Sequence, residues 1–190
     1  PSFNTIAGSG KNGAIVHYRA TKGKTKFLKK DEIFLCDSGG QYKFGTTDVT
    51  RTICFSDQNK EIKKIFTKVL QGHIAVAQTN LNKKKTGKLI DREARKFLKK
   101  DGLDYNHGTG HGVGFFLNVH EGPQAISKLN SVKIQEGMIL SNEPGYYRKS
   151  KFGIRIENLI YVNRIGRELF FKNLTLAPIE KDLINFELLT

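Results

Sequence analysis

Four carboxylates and a small set of histidines hold the chemistry of this 190-residue chain. Asp37 and Asp48 flank Ser38-Gly39-Gly40-Gln41-Tyr42-Lys43-Phe44-Gly45-Thr46-Thr47. Apolar Ile33-Phe34-Leu35-Cys36 comes before this stretch, and the β-branched run Val49-Thr50-Arg51-Thr52-Ile53 comes after it. Two strand-like runs with a glycine-bearing link predict a β-hairpin. A turn centred on Tyr42-Lys43 sets Asp37 opposite Asp48, and opposed residues on one hairpin face lie about 5 Å apart at Cβ. Like charges that close repel, and a divalent cation relieves them most directly. The device recurs in Glu143 and Glu157, which flank a polar link at 147–152. A turn centred on Ser150 sets those two glutamates face to face.

Between the hairpins lies His107-Gly108-Thr109-Gly110-His111-Gly112-Val113-Gly114, whose four glycines permit close backbone approach. Asp37, Asp48, His111, Glu143 and Glu157 together make an oxygen-rich donor set with one imidazole and no thiolate. That set favours manganese, with cobalt or zinc able to substitute. Two cations neutralise four carboxylates, and two metals sharing carboxylates sit about 3.5 Å apart. A water held between them loses its proton near neutral pH, so the expected reaction is metal-assisted hydrolysis of a carbonyl or phosphoryl compound by a bridging hydroxide. His107 and His120 suit oxyanion stabilisation or proton shuttling, and His17 can reach the same cavity from its own strand. His73, on a helix, is assigned no role.

The elements that must position these groups follow from pattern. Residues 1–14 read as an irregular lead-in, 14–18 as a short strand and 21–30 as a lysine-rich surface loop. A helix is predicted near 58–79, capped by Ser56 or Asp57, with Ile62, Ile65, Phe66 and Val69 inward. A second helix spans 87–100, with Leu89, Ile90, Ala94, Phe97 and Leu98 inward and Gly102 just past its end. Phe115–Val119 resumes a strand that delivers His120, a polar loop fills 122–136, and Glu168–Phe171 forms one more strand. The two halves imply a pseudo-symmetric α+β arrangement around a curved antiparallel sheet.

Composition sets bounds on this reading. A hydrophobic content of 38% supports a true core. No apolar run approaches the roughly 18 residues that span a bilayer, so no membrane is expected as a partner. Cys36 and Cys54 are not direct cross-strand partners and are read as free thiols in a reducing compartment. The formal charge of +14 raises nucleic acid as a partner. The lysines fall on predicted solvent faces without interleaved aromatics, which argues against it. The opening Pro1, with no methionine before it, is the expectation for a piece of a longer protein.

Five motifs bring a known family into view. They are Asp-Ser-Gly-x-x-Tyr-x-x-Gly-x-Thr-Asp-x-Thr-Arg-Thr at 37–52, His-Gly-Thr-Gly-His-Gly-Val-Gly at 107–114, Asn-Val-His-Glu at 118–121, Glu-Pro-Gly-Tyr-Tyr at 143–147 and Gly-Ile-Arg-Ile-Glu-Asn at 153–158. Nearly the whole chain resembles the Xaa-Pro aminopeptidases (aminopeptidase P), most closely the cytosolic eukaryotic type. The resemblance implies the pita-bread fold and a cytoplasmic enzyme that cleaves before a penultimate proline. It implies that Asp37, Asp48, His111, Glu143 and Glu157 hold two ions, usually manganese, with Asp48 and Glu157 bridging. It further implies that Glu143 accepts and returns the proton, that His107 and His120 steady the substrate carbonyl, and that His17 meets the substrate near its proline. Tyr147 and Arg155 match positions that support the metal site.

By the same resemblance, residues 1–190 are a partial metallopeptidase catalytic domain. The preceding domains, the first helices of the fold and a C-terminal segment that commonly serves dimerisation are expected to lie outside it, and the full-length protein is expected to be a homodimer. The fragment is not assumed active alone. Prolidase is the nearest alternative, disfavoured by Tyr146-Tyr147 after Glu143-Pro144-Gly145. Methionine aminopeptidase has a longer gap between its two glutamates than the fourteen residues here. A metal-free binding module of the same fold is the alternative from a different class, and its hallmark is loss of the ligands retained here.

Overall fold

The structure, a computed structural model, describes every residue except Lys24, Leu117 and Thr190. The chain opens with β1 (Ile6–Ser9) and a 3-10 turn over Gly10–Ala14, where sequence pattern predicts an irregular lead-in and then a strand over 14–18. The glycines at 10 and 13 favour the tight turn, and Gly10 adopts a φ of 53°. Next come β2 (Phe34–Ser38), β3 (Gln41–Tyr42), β4 (Gly45–Thr46) and β5 (Val49–Ile53). The helices are α1 (Lys60–Ala77) and α2 (Gly87–Lys99). The second half holds β6 (Gly110–His111), β7 (Ala125–Ile126), β8 (Ile139–Asn142), β9 (Gly145–Arg148), β10 (Phe152–Arg155), β11 (Asn158–Ile165) and β12 (Glu168–Asn173). The architecture is α+β, with all described pairings antiparallel.

Two three-stranded sheets, β1-β2-β5 and β12-β11-β8, are joined across the site by the hairpin β9-β10. The first hairpin turns at Lys43-Phe44 rather than Tyr42-Lys43, so Asp37 faces Thr50 and not Asp48. The offset is two residues along the partner strand. Because side chains alternate with a period of two, such a shift leaves Asp48 on the expected face, one pleat away. The second hairpin has the expected register: Phe152 pairs with Arg148 and Asn158 with Asn142, which leaves Glu143 opposite Glu157 in the gap between. Ser150, at the turn, has a φ of 60°.

α1 buries a stripe at three- and four-residue spacing: Ile62, Ile65, Phe66, Val69, Leu70, His73 and Val76. Its N-terminal part meets Ile33, Phe152, Ile154 and Ile156, while Val76 meets Ile90, Leu140 and Ile160. One helix thereby packs under both the β9-β10 hairpin and the β12-β11-β8 sheet. The cap is Asn59, whose side chain accepts from the Ile62 N–H at 3.0 Å. Ser56 and Asp57, the expected caps, are engaged elsewhere, with the Lys30 carbonyl and the Lys63 ammonium. In α2 the residues Ile90, Ala94 and Leu98 are buried, whereas Leu89 and Phe97 are only half-buried. Gly102 follows with a φ of 70°, as a left-handed residue past a helix end should. Phe115, Phe116 and Val119 form no strand, Phe115 and Phe116 are exposed, and Leu117 within that run lies outside the described residues.

The helices approach closely at Gly72, where an added methyl carbon would lie 2.3 Å from the Ala94 carbonyl oxygen. Backbone cannot yield there without separating the helices. Gly72→Ala is therefore expected to destabilise the protein by about 1–3 kcal/mol, read as a lower melting temperature in thermal unfolding.

Candidate metal centre

The five sequence-predicted donors converge. Asp37 comes from β2, Asp48 from the residue before β5 and His111 from β6. Glu143 lies between β8 and β9, and Glu157 between β10 and β11. Donor atoms of Asp37, Asp48 and Glu157 lie within 4.8 Å of one another, as do those of His111, Glu143 and Glu157. A cation with donors at roughly 2.1–2.2 Å holds them no more than about 4.4 Å apart, so each triad needs to draw in by at most a few tenths of an ångström to close on one cation. Glu157 belongs to both. A third triad, Asp48, His111 and His120, adds an imidazole that the sequence reading kept apart from the metal set. The His111 and His120 ring centroids are 3.9 Å apart.

Local hydrogen bonds fix each donor. His111 directs Nδ1 at the Gly112 carbonyl at 3.0 Å, so Nδ1 carries the proton and the Nε2 lone pair faces the cage. That Nε2 lies 3.3 Å from both Asp48 Oδ2 and Glu143 Oε1, an electron-rich contact that only a proton or cation makes favourable. Ser141 Oγ accepts from the His111 N–H at 2.9 Å and donates to Glu143 Oε1 at 2.9 Å. Thr50 Oγ1 donates to Glu157 Oε2 at 2.6 Å and accepts from Arg155 Nε at 3.0 Å. Arg155 also donates to Asp37 Oδ2 at 2.6 Å and to the Tyr147 hydroxyl at 2.7 Å. Asp37 Oδ1 is buried with no hydrogen-bond partner. The orphaned, buried Asp37 oxygen and the inward-facing His111 lone pair both suit a cation. The donor set fits a pair of hard or borderline divalent cations.

Electrostatics agree with the geometry. Burial raises the Glu143 carboxyl to about 7, opposed by His111 and Arg155. Burial, then the charges of Glu143, Asp48 and Asp37, drives Glu157 well above the carboxylate range. Asp37 is also raised, by burial and by Asp48, against the pull of Arg155. His111 is raised despite burial, because Asp48 and Glu143 favour its cation.

The other histidines divide by exposure. His17 and His120 are exposed at a cavity of about 620 Å³ that also holds the five donors. Burial lowers His120. His107 lines the same cavity, but both of its nitrogens are engaged, Nδ1 with the Gly108 carbonyl at 2.6 Å and Nε2 with the Tyr147 hydroxyl at 2.9 Å. Direct contact with a substrate requires it to release Tyr147. Burial pushes His107 down to about 4, so it is neutral, and Tyr147 up to about 12. His73 is buried and donates to the Asn142 carbonyl, while Asn142 donates back to the His73 carbonyl. It anchors the residue before Glu143.

Several residues at the site escaped the sequence reading. Thr50 and Thr52 alternate with Arg51 along β5, and their burial could have been read from that alternation once the strand face was known. Ser141 had no such signal. Phe3, Asn4 and Ile6 line the cavity from the segment expected to be irregular.

Residues 1–164 match the profile of metallopeptidase family M24. The chain is 51% identical to a probable Xaa-Pro aminopeptidase P of Laccaria bicolor over 99% of its own length, which is 31% of that relative. Its structure superposes on an X-prolyl aminopeptidase from Caenorhabditis elegans, described as a cytosolic enzyme with a di-nuclear active site, with a TM-score of 0.92 and 39% identity. That match covers 99% of this chain and 32% of the other. A prolidase from Pyrococcus furiosus gives 0.82 and 30% identity, covering 94% of this chain and 50% of that one. The fold is the pita-bread fold, partial relative to these proteins, and the chain spans about a third of the length of the aminopeptidases it matches.

Carboxyl groups raised by burial hold protons to higher pH, and a cation must displace those protons. A group whose folded pKa exceeds its unfolded value stabilises fully below the unfolded value and loses that contribution as pH rises through the folded one. For Glu143 that window runs from the ordinary glutamate range up to about 7. With Mn2+ as the probe, calorimetry in buffers of different ionisation enthalpy should show proton release and tighter binding at pH 8 than at pH 6. The thermal shift on adding the ion should likewise be larger at pH 8.

Proposed function

The chain belongs to metallopeptidase family M24, and on that premise we propose that it is the metal-binding part of an Xaa-Pro aminopeptidase. The observation that carries the reading is the convergence of Asp37, Asp48, His111, Glu143 and Glu157 around one cavity, with Asp37 Oδ1 left without a partner. These five side chains would hold two divalent cations, most naturally Mn2+, which when bound would polarise a peptide carbonyl and acidify a water. By the family resemblance, Asp48 and Glu157 would be shared between the two cations; each belongs to two of the three donor triads, as does His111.

The chain's own residues do the rest. The negative cage suits the free amino terminus of a peptide, so the first residue lies against it and the penultimate proline points outward. Phe3, Ile6, Val16 and Val119 give the cavity an apolar wall suited to a pyrrolidine ring. Exposed His120 is free to donate to the scissile carbonyl oxygen, and His17 meets the substrate near its proline. Glu143, raised to about 7, takes a proton near neutral pH and passes it to the departing proline nitrogen. That nitrogen carries no hydrogen in the bond and must gain one to leave. Tyr147 and Arg155 hold Asp37 and His107 in place. Residues 1–190 are read as part of a catalytic domain within a longer, homodimeric, cytoplasmic protein.

The test is hydrolysis of proline-second peptides by the full-length protein with and without Mn2+. A tripeptide such as Arg-Pro-Pro cleaved in preference to an Xaa-Pro dipeptide supports the aminopeptidase, and the reverse preference indicates a prolidase. Absence of both metal binding and cleavage indicates a binding module. Glu143→Gln should lower kcat on the order of 10²–10⁴-fold while peptide affinity changes little, checked by steady-state kinetics and calorimetry. A parallel loss of affinity would count against a proton role.

A further inference from the structure

Arg95, in the middle of α2, is 2% exposed and lies outside the metal cage, yet it is tied to the histidine segment. Its Nε donates to Asp91 Oδ2 at 2.8 Å. Its Nη1 donates to Asp104 Oδ1 at 2.6 Å and to the Tyr105 carbonyl at 2.7 Å, and its Nη2 donates to the His107 carbonyl at 2.7 Å. Its guanidinium lies over the Tyr105 ring, 3.9 Å from the centroid. Asp91, itself buried, accepts a second bond from Thr109 Oγ1 at 2.6 Å. One fork thus pins residues 104, 105 and 107, and its aspartate partner pins residue 109.

A packing role alone does not call for this arrangement, because an apolar side chain of similar volume would fill the space without a buried ion pair to Asp91 and a second one to the more exposed Asp104. The placement of the fork has a chemical consequence at His107. Arg95 holds the His107 main chain through its carbonyl, and the Gly108 carbonyl holds the ring through Nδ1, so backbone and ring are both fixed. Its Nε2 is thereby aimed at Tyr147, whose hydroxyl accepts from Arg155, which in turn holds Asp37. Hydrogen bonds run unbroken from α2 to a candidate metal ligand.

We infer that Arg95 is a positioning residue for the site, acting through His107: its fork sets the His107 ring against Tyr147. The kinetic part of this inference rests on the aminopeptidase reading. Lysine at this position keeps the charge beside Asp91 but presents its donors from a single point and cannot match the planar fork.

The test is a double-mutant cycle on the full-length, Mn2+-loaded protein. Arg95→Lys is expected to lower kcat/KM by about tenfold to a hundredfold, the scale of a displaced active-site group, mainly in kcat and with metal content unchanged. In a His107→Ala background the same change should cost little, because its target is gone. Equal losses in the two backgrounds, or loss of bound metal, would overturn the inference. Should Arg95→Lys fail to fold, the charge-neutral pair Asp91→Asn with Arg95→Met replaces it in the cycle. A crystal structure of the variant supplies a readout independent of activity. A His107 ring displaced from the Tyr147 hydroxyl supports the inference, and an unmoved ring defeats it. If the unaltered protein cleaves no proline-second peptide, the aminopeptidase reading fails, and the crystallographic arm alone decides the role of Arg95.

Discussion

Like charges held together out of water are the constraint from which the rest of this structure follows. Glu157 is 1% exposed, Asp48 4% and Asp37 7%, with Glu143 beside them. Arg155 offsets one negative charge through its bond to Asp37, and His111 offers a second, conditional one. The remainder has three physical outlets: protons, a broken fold or bound cations. Burial and mutual repulsion raise the Glu143 and Glu157 carboxyls, which favours protons as one outlet. Two bound cations are the response consistent with an orphaned Asp37 oxygen and a His111 lone pair aimed inward.

Holding that cage against its own repulsion requires the two halves of the chain to be joined there rather than elsewhere. Arg51 does much of this, donating to the carbonyls of Thr50 and Glu157 and to Asn158 Oδ1. Thr52 trades hydrogen bonds with the main chain of Arg155, and the Glu157 N–H donates to the Thr50 carbonyl. Strand β5 is therefore zipped to the gap between β10 and β11 by side chains that alternate with its own ladder bonds. On the far side, Gly110 lets β6 approach β8 so closely that an added methyl carbon would sit 1.9 Å from the Ser141 carbonyl oxygen. That approach is what permits Ser141 to bond both the His111 backbone and Glu143.

The site was more legible in the sequence than the fold around it, and the reason is periodicity. The register of β9 and β10 was readable because a short polar link leaves one good centre, Ser150. The first hairpin departs from the expected register by two residues because its longer connection makes its own pair of short strands and turns at Lys43-Phe44. An even error keeps every side chain on its face, so the convergence of Asp37 and Asp48 survived it. Elements that depend on chain-distant partners were not legible. β1 contains Gly8 and lacks alternation, and it exists because Ile6 to Ser9 pair with Asp37 to Phe34. The run at 115–119 has the right apolar content for a strand but lacks a partner to pair with among the described residues. α1 starts at Asn59 because its rivals for the cap are drawn off by Lys30 and Lys63, which no local pattern reveals.

The histidines show how burial divides labour that residue type alone leaves undivided. Five imidazoles of the same intrinsic basicity occupy four environments. His73 is buried and neutral, and it serves only to lock α1 to β8 through Asn142. His111 has its proton fixed on Nδ1 by a carbonyl, which frees Nε2 for the cage. His107 is buried and neutral with both nitrogens engaged, and so it transmits position rather than charge. His17 and His120 keep their rings at the cavity surface, where an imidazole N–H can meet an incoming carbonyl. In this site a histidine's function is decided by what occupies its second nitrogen.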